Sequence, residues 1–497
     1  MATDDSRTIR PLHKLEQYSS ARHHLGLYHC VIVTARYEQT DERDENKPHP
    51  VYNALIPLIR RHGMLRVGIA DDDTKQPYFC HVVKVDLRNQ VDFKTIKCSS
   101  PQEYEMKLAE LQERRHNQPF PDLTTVPPWR LTIVKADIEG NTGSTFEDFV
   151  FAFHHSLLDG PSARLFHEQL VASLNYPSCS IDLHAEQTHE LEFPAKPDLP
   201  PPREEVIPSN LTKKFVASTL WKALGPKWLQ PTPDPWWAGE DIDLALPLKT
   251  RILPIDIPSE TLTTLLKACR EKATTLTCLI HALILASLSR RLDPQDAPSF
   301  ASTTPIDYRL LPIDAVIKAY KKTLSNCVTA STEKHPAINV SAFRAPGSDL
   351  DALVWSNAQR IGKDLTEMRS RLPVNDPVML FQFVGNLLDY CREKDHTKRE
   401  ASWEVSNIGI VNGVPFESED HRSWRIARVL FSNSAAVIGP ALSVNVASVP
   451  GESLTMSIVW QEGVVPEEVA RGLASDLVAS ASNYAAEGTF EGRDAVR

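Results

Sequence analysis

The sequence lacks the marks of membrane, secreted and metal-binding proteins. No run approaches ~18 consecutive apolar residues, so no transmembrane helix is expected. Residues 1–17 are polar and charged, without the apolar core of a signal peptide. The eight cysteines are scattered, with neither a CxxC pair nor the spacing of zinc ligands. Buried free thiols in the cytoplasm are therefore expected, and no metal site is predicted.

An excess of positive charge and the glycine-rich motifs of nucleotide enzymes are absent as well. The formal net charge of -10 argues against a general nucleic-acid binder. No GxGxxG, P-loop or GxSxG pattern occurs, which leaves hydride transfer, nucleotide hydrolysis and serine-hydrolase chemistry without support. A hydrophobic content of 42% with 24% charged residues is ordinary for a globular protein. The composition therefore indicates an acidic globular protein without an obvious nucleotide site.

What is present is a long chain in which strands alternate with helices. At 497 residues it exceeds what one core usually supports, which predicts two α/β domains with mixed sheets. We expect an N-terminal domain over 1–185, a proline-rich crossover linker over 186–248 and a C-terminal domain over 249–497. The predicted strands lie near 25–37, 64–70, 78–86, 130–136, 148–154, 250–257, 404–411, 424–431, 441–448 and 453–460. The predicted helices lie near 50–62, 101–115, 160–174, 259–271, 275–291, 347–370 and 376–391, with a last one from Pro466.

The most informative segment is His154–Gly160, which reads HHxxxDG. It follows the apolar run Phe149–Phe153, which is typical of a buried strand. Side chains alternate along a strand, so His154 and His155 are expected to face opposite ways, with His154 packed behind the site. An imidazole at the end of a rigid strand suits a general base. Because the two rings diverge, a metal site built on them is not expected.

The two residues that end the motif have structural interpretations as well as catalytic ones. Asp159 lies four residues past the base across a turn, so we expect its carboxylate to hold the loop in place rather than to form a His–Asp dyad. Gly160 suits a sharp turn or a close approach of substrate. Its amide, at the start of the helix over 160–174, is equally suited to face developing negative charge.

HHxxxDG is the signature of the chloramphenicol acetyltransferase-like superfamily of CoA-dependent acyltransferases and condensation domains. The wider chain resembles the fungal alcohol acetyltransferase branch of that superfamily. The segments that carry the resemblance are Arg22–Tyr28, read as an opening strand, 127–131, Ser406–Gly409 and Phe431–Ala435. The DFGWG segment of the plant branch is absent, which leaves the CoA contacts unassigned.

The resemblance implies a fold and a site. Two chloramphenicol-acetyltransferase-like domains, each a mixed sheet with flanking helices, would enclose an active-site tunnel at their interface. Asp159 would form a structural salt bridge with an arginine, for which Arg22 and Arg309 are the candidates. Removing one partner of such a buried pair costs roughly 3–5 kcal/mol, so substitution of Asp159 should impair folding at least as much as catalysis. The C-terminal half would supply hydrogen-bond donors to the oxyanion, with Asn407, Ser432 and Ser434 as candidates.

Together these features predict an acyl-CoA-dependent O-acyltransferase, and specifically an acetyltransferase. Acetyl-CoA is the expected co-substrate, no cofactor is expected to stay bound, and the acceptor is an alcohol or a hydroxylated secondary metabolite. His155 would act as general base without a covalent acyl-enzyme, in a monomer. Three alternatives stand beside this prediction: N-acylation of an amine, condensation with a carrier-protein-bound donor, and a catalytically silent relative that binds a metabolite or protein.

Overall fold

The computed structural model describes residues 6–39, 49–139, 146–176, 187–208, 210–224, 235–413 and 424–492. Its strands are β1 (Thr8–Pro11), β2 (Val31–Gln39), β3 (Val67–Ala70), β4 (Tyr78–His81), β5 (Lys84–Asp86), β6 (Val91–Cys98), β7 (Trp129–Ile138), β8 (Phe146–Phe153), β9 (Glu190–Glu192), β10 (Thr250–Ile257), β11 (Phe300–Asp307), β12 (Val328–His335), β13 (Trp403–Ile410), β14 (Trp424–Asn433), β15 (Leu442–Ser448) and β16 (Leu454–Gln461). Its helices are α1 (Lys14–His24), α2 (Val51–Arg61), α3 (Pro101–His116), α4 (Gly160–Asn175), α5 (Arg203–Val206), α6 (Lys213–Leu224), α7 (Ser259–Glu271), α8 (Leu276–Arg291), α9 (Asp314–Tyr320), α10 (Ala337–Arg344), α11 (Leu350–Arg371), α12 (Leu387–Arg392) and α13 (Glu467–Glu487).

The sheet that carries the HHxxxDG motif has five strands in the order β14-β2-β8-β7-β6. Only β6 and β7 run parallel, and the other pairs are antiparallel. Strand β8 is central, and Phe149, Phe151 and Phe153 all point into one core layer beneath α2 and α4. Alternation places the intervening residues against α3 on the opposite face. The end of β8 is therefore held rigidly from both sides.

The second large sheet has six strands in the order β10-β16-β15-β13-β11-β12. Strand β13 is parallel to β15 and β11, and the other pairs are antiparallel. One face packs its apolar side chains against α8, α11 and α13. The other face is polar and meets β14, where the hydroxyls of Thr455 and Ser457 donate to the carbonyls of Val429 and Phe431. Strand β14 is at the edge of its own sheet, and these two hydroxyls supply hydrogen bonds to backbone carbonyls that have no partner strand there.

Strand β14 links the two halves of the chain. It comes from the predicted C-terminal domain, yet it pairs along its length with β2, with Asn433 opposite Val31. The predicted linker also takes part in the fold, because β9 pairs with β5. Parts of the predicted N-terminal domain (177–185) and of the linker (225–234) lie outside the described residues. The domain boundaries thus remain a prediction, but a cut at residue 248 would separate β14 from its sheet.

The opening strand predicted over 25–37 is partly wrong. Residues Lys14–His24 form α1, and β2 begins only at Val31. Helix α1 buries Glu16, Ser19 and Ser20, so its sequence shows no clear apolar stripe. The strands β6 and β12, which carry many polar residues, and the short helices α9 and α10 were not predicted either. The helix predicted over 376–391 is a 3-10 segment at Pro377–Phe383 followed by the short α12.

No single helix in the described ranges has the length and apolarity needed to span a membrane. Helices α7 and α8 meet such a criterion only as a pair, and that pair is bent by 98°. The seven described cysteines are all buried and unpaired, as expected from their spacing.

Candidate active site

The two histidines of the motif leave the end of β8 in different surroundings. His154 is buried, accepts a hydrogen bond at Nδ1 from the Ser156 amide at 3.0 Å, and packs its ring 4.5 Å from that of His23. His155 stays partly accessible although burial is the main influence on its pKa. His155 Nε2 makes no hydrogen bond to the described residues, whereas His154 is enclosed by its neighbours. This combination makes His155, not His154, the ring available to a ligand.

The hydrogen bonds of His155 define its tautomer. Its Nδ1 lies 2.9 Å from the carbonyl oxygen of Leu158. A carbonyl only accepts, so Nδ1 carries the proton and Nε2 keeps its lone pair. Burial, helped by the positive charge of Arg22, lowers the pKa of His155 to about 4, against the opposing effects of the Leu158 carbonyl and Asp159. The ring is therefore neutral near neutral pH, with a free acceptor at Nε2.

Asp159 is occupied by structural contacts and does not touch the His155 ring. As the N-cap of α4 it accepts from the Ser162 amide at 2.9 Å. Its other oxygen accepts from Arg309 Nη1 at 2.9 Å and from the Cys327 amide at 2.8 Å. Burial alone would raise the pKa of Asp159, but the charge and hydrogen bonds of Arg309 hold it below its usual value. Of the two candidate arginines, Arg309 is thus the partner of Asp159, and Arg22 is not.

A segment from the C-terminal half fastens the motif loop. Asn326 Nδ2 donates to the carbonyl oxygen of His155 at 2.8 Å. The preceding residue exchanges two bonds with the start of α4: Ser162 Oγ donates to the Ser325 carbonyl at 2.6 Å and accepts from its amide at 3.0 Å. Arg309 Nη2 also donates to that carbonyl at 3.0 Å. Residues 325–327 thus form a clamp on the motif, for which the sequence carries no recognisable signal.

The structure does not bring the three predicted oxyanion donors to His155. Ser432 Oγ bonds His116 Nε2 at 2.9 Å, and Ser434 Oγ accepts from the Cys30 amide at 3.1 Å. Both serines lie on the face of β14 that is turned toward α3. Asn407 is exposed and donates to Thr277 Oγ1 at 3.1 Å. For Ser432 the physical reason is strand alternation, because its neighbour Asn433 is the side chain that points to the opposite face of β14.

Three further polar residues, Arg22, Tyr28 and Glu404, form a group next to His155. The Arg22 guanidinium lies over the ring of Tyr28, 4.5 Å from its centroid, and that ring is 6.0 Å from the ring of His155. Glu404, on the polar face of the second sheet, accepts a long hydrogen bond of 3.4 Å from Thr303 Oγ1. Burial raises the pKa of Glu404 to about 7, although the charge of Arg22 opposes the shift. Tyr28 and Glu404 were not predicted as site residues, since neither lies in a motif with recognisable chemistry.

Comparison with known proteins agrees with this architecture. The family profile described as Alcohol acetyltransferase matches residues 102–470. The chain belongs to the alcohol acetyltransferase family. It is 26% identical over 479 residues to the probable alcohol acetyltransferase FCK4 of Fusarium pseudograminearum (strain CS3096), covering 94% of each chain. The predicted family, and an acyltransferase as the class of enzyme, are thereby confirmed.

Solved structures resemble this alcohol acetyltransferase over nearly its whole length. TRI3 trichothecene 15-O-acetyltransferase of Fusarium sporotrichioides matches with a TM-score of 0.67 at 14% identity, covering 95% of this chain and 97% of that chain. A condensation domain of the monacolin K polyketide synthase MokA matches with a TM-score of 0.57 at 12% identity, covering 97% and 98%. At these identities the likeness concerns the fold alone. It confirms the predicted two-lobed α/β architecture of mixed sheets and helices.

Gly160 has a packing role in the alcohol acetyltransferase fold. A Cβ at this position would lie 2.5 Å from Ile408 Cγ2 and 3.3 Å from the ring of Phe431. The first turn of α4 therefore approaches β13 and β14 more closely than a residue with a side chain at position 160 would permit. This packing against side chains of the protein was not predicted from the sequence, and the roles of Gly160 in a sharp turn, beside a substrate or toward developing negative charge stay predictions.

Proposed function

We propose that the protein is an acyl-CoA-dependent O-acetyltransferase that acts on an alcohol or a hydroxylated secondary metabolite. The observation that carries the proposal is the state of His155: a neutral ring, with Nδ1 committed to the Leu158 carbonyl and Nε2 without a hydrogen bond among the described residues. A fixed tautomer with a free Nε2 is the arrangement needed to take a proton from a hydroxyl. The name of the TRI3 neighbour, an O-acetyltransferase, supports a hydroxyl acceptor.

The reaction follows from that geometry. The acceptor hydroxyl gives its proton to His155 Nε2 while its oxygen attacks the thioester carbonyl carbon. The carbonyl electron pair moves onto oxygen and then returns as the carbon–sulfur bond breaks. The imidazolium returns its proton to the departing thiolate, so the products are an ester and the free thiol of CoA. No covalent acyl-enzyme forms, and alignment of two bound substrates supplies much of the acceleration.

The clamp on the motif loop contributes to this alignment. Asn326 holds the His155 backbone, while Arg309 joins Asp159 to Ser325. Because these contacts come from the C-terminal half, the position of the base depends on how the two halves meet. Asp159 serves in this mechanism as a positioning residue for the loop, and it neither takes nor gives a proton.

The test is thiol release from acetyl-CoA with a panel of alcohols and amines. Wild type should show alcohol-dependent release, and His155→Ala should lose ~10²-fold or more, the scale of a lost general base. His396→Ala is the matched control, because that histidine is 81% exposed and far from the motif in sequence. Release with amines alone would replace the proposal with N-acylation. No release from folded protein would contradict a CoA donor and favour a carrier-bound donor or a binding role.

A further inference from the structure

The three side chains predicted as oxyanion donors are all committed elsewhere. Acyl transfer builds negative charge on the thioester carbonyl oxygen, and donors aimed at it usually provide a large share of the catalysis. Ser432 and Ser434 are committed to His116 and to the backbone of Cys30. Asn407 is exposed and bonded to Thr277. Besides the Gly160 amide, a side-chain donor for this oxygen has to come from another group beside the His155 ring.

Tyr28 is such a group. It lies in the connection between α1 and β2, is 5% exposed, and places its ring 6.0 Å from the ring of His155. At this separation the two rings are direct neighbours, so a group bound at the edge of the His155 ring also lies close to the phenol. The guanidinium of Arg22 covers one face of the phenol ring, which holds the ring in place by a cation–π contact.

Two asparagines determine which way the phenol hydrogen bond runs. Asn445 Nδ2 donates to Asn433 Oδ1 at 3.0 Å, which orients the Asn433 carboxamide. The hydrogen bond between Asn433 and Tyr28 acts to lower the pKa of Tyr28, which is the effect of an NH₂ group that donates to the phenol oxygen. Tyr28 therefore receives a hydrogen bond from Asn433 and keeps its own O–H proton for another partner. The series runs in one direction, from Asn445 through Asn433 to Tyr28.

The protonation state of Tyr28 is consistent with a hydroxyl that donates a hydrogen bond. Burial, together with the negative charge of Glu404, raises the pKa of Tyr28 above its ordinary value, against the opposing effects of Arg22 and Asn433. The hydroxyl thus remains protonated throughout the range in which the enzyme is expected to work. A buried phenol without charge is a hydrogen-bond donor, whereas a phenolate would repel the oxyanion.

We propose that the Tyr28 hydroxyl, oriented by Asn433 and Asn445, donates the hydrogen bond that stabilises the tetrahedral oxyanion. The assignment rests on the proposed acyl transfer from a thioester. When the acceptor oxygen attacks, the carbonyl electron pair moves onto the oxygen that Tyr28 contacts, and no proton leaves the phenol. When the carbon–sulfur bond breaks, the pair returns to the carbonyl and the hydrogen bond weakens again. Asn433 is a positioning residue in this scheme.

The test compares Tyr28→Phe, which removes only the hydroxyl, with Tyr18→Phe. The Arg22 guanidinium also lies 4.3 Å from the centroid of the Tyr18 ring, so the second variant controls for the aromatic environment of that arginine. Tyr28→Phe should lose ~10²–10³ in kcat, the scale of one lost oxyanion donor. Its KM for acetyl-CoA and for the acceptor should stay unchanged, and Tyr18→Phe should keep the wild-type kcat.

A second variant addresses the orientation of the phenol. Asn433→Ala keeps the Tyr28 ring but removes the group that directs its hydroxyl, so kcat should fall by about tenfold or more at unchanged KM. Wild-type kcat in Tyr28→Phe, beside an inactive His155→Ala, overturns the oxyanion assignment and leaves the acyltransferase intact. A raised acceptor KM at constant kcat also overturns it, because the hydroxyl would then bind the acceptor. A wild type without thiol release overturns both proposals together.

Discussion

Acidification should unfold this protein before it titrates the catalytic base. Burial lowers the pKa of His23, His116 and His281 to about 3. It lowers the pKa of His155 and His167 to about 4. A histidine whose pKa is depressed by folding stabilises the native state fully above its unfolded pKa of about 6.5. That stability is lost as the pH falls, because these histidines bind protons in the unfolded chain at pH values at which they are still neutral in the native state.

The magnitude follows from the linkage relation. Each pH unit below about 6.5 costs roughly 1.4 kcal/mol for each such histidine until its folded pKa is reached. At pH 5 the cost is therefore about 2 kcal/mol for each one, and several buried histidines together rival the 5–15 kcal/mol that stabilises a typical protein. Protonation also breaks specific contacts: His281 Nδ1 accepts from Trp403 Nε1 at 2.9 Å and cannot accept once protonated. We expect cooperative unfolding between about pH 5 and pH 4.

The assay is near-ultraviolet circular dichroism and thiol release, both followed from pH 7 to pH 4. The two signals should be lost together. His281→Gln removes one titrating group, so the dependence of its melting temperature on pH should be shallower than that of wild type. His396→Gln, at an 81% exposed position, should keep the wild-type dependence. A protein that remains folded and active at pH 4 would refute the reasoning.

Two further predictions concern the motif loop. Asp159→Ala should lower the free energy of unfolding by about 3 kcal/mol or more, because it leaves the buried Cys327 and Ser162 amides without an acceptor and removes one of the two carboxylates paired with Arg309. The double variant with Arg309→Met should lose less stability than the two single variants added together, and strict additivity would contradict a coupled pair. Gly160→Ala should destabilise by roughly 1–3 kcal/mol, because its Cβ would overlap Ile408, and Ile408→Ala should relieve part of the loss. Gly385→Ala is the control, since nothing lies within 4 Å of a Cβ at that position, and an equal loss there would rule out the overlap.

Elements with a regular apolar period were predicted well. The helices over 101–115 and 259–271 correspond to Pro101–His116 and Ser259–Glu271. The sequence did not reveal α1, because that helix buries polar side chains at the junction of the two halves. It also did not indicate that β14 leaves its own half to pair with β2. Partners so far apart along the chain leave no local pattern.

The sequence by itself determined the enzyme family, the strand that ends in the HHxxxDG motif, and the opposite orientation of its two histidines. These features depend on a few consecutive residues and on the period of a β-strand, so they can be read locally. Only the tertiary structure decided that Arg309 rather than Arg22 pairs with Asp159, 150 positions away. It also decided that Ser432 and Ser434 bond to His116 and Cys30 rather than to a substrate at the base. Both choices depend on which strands meet across the two sheets, and such contacts are set by the path of the whole chain.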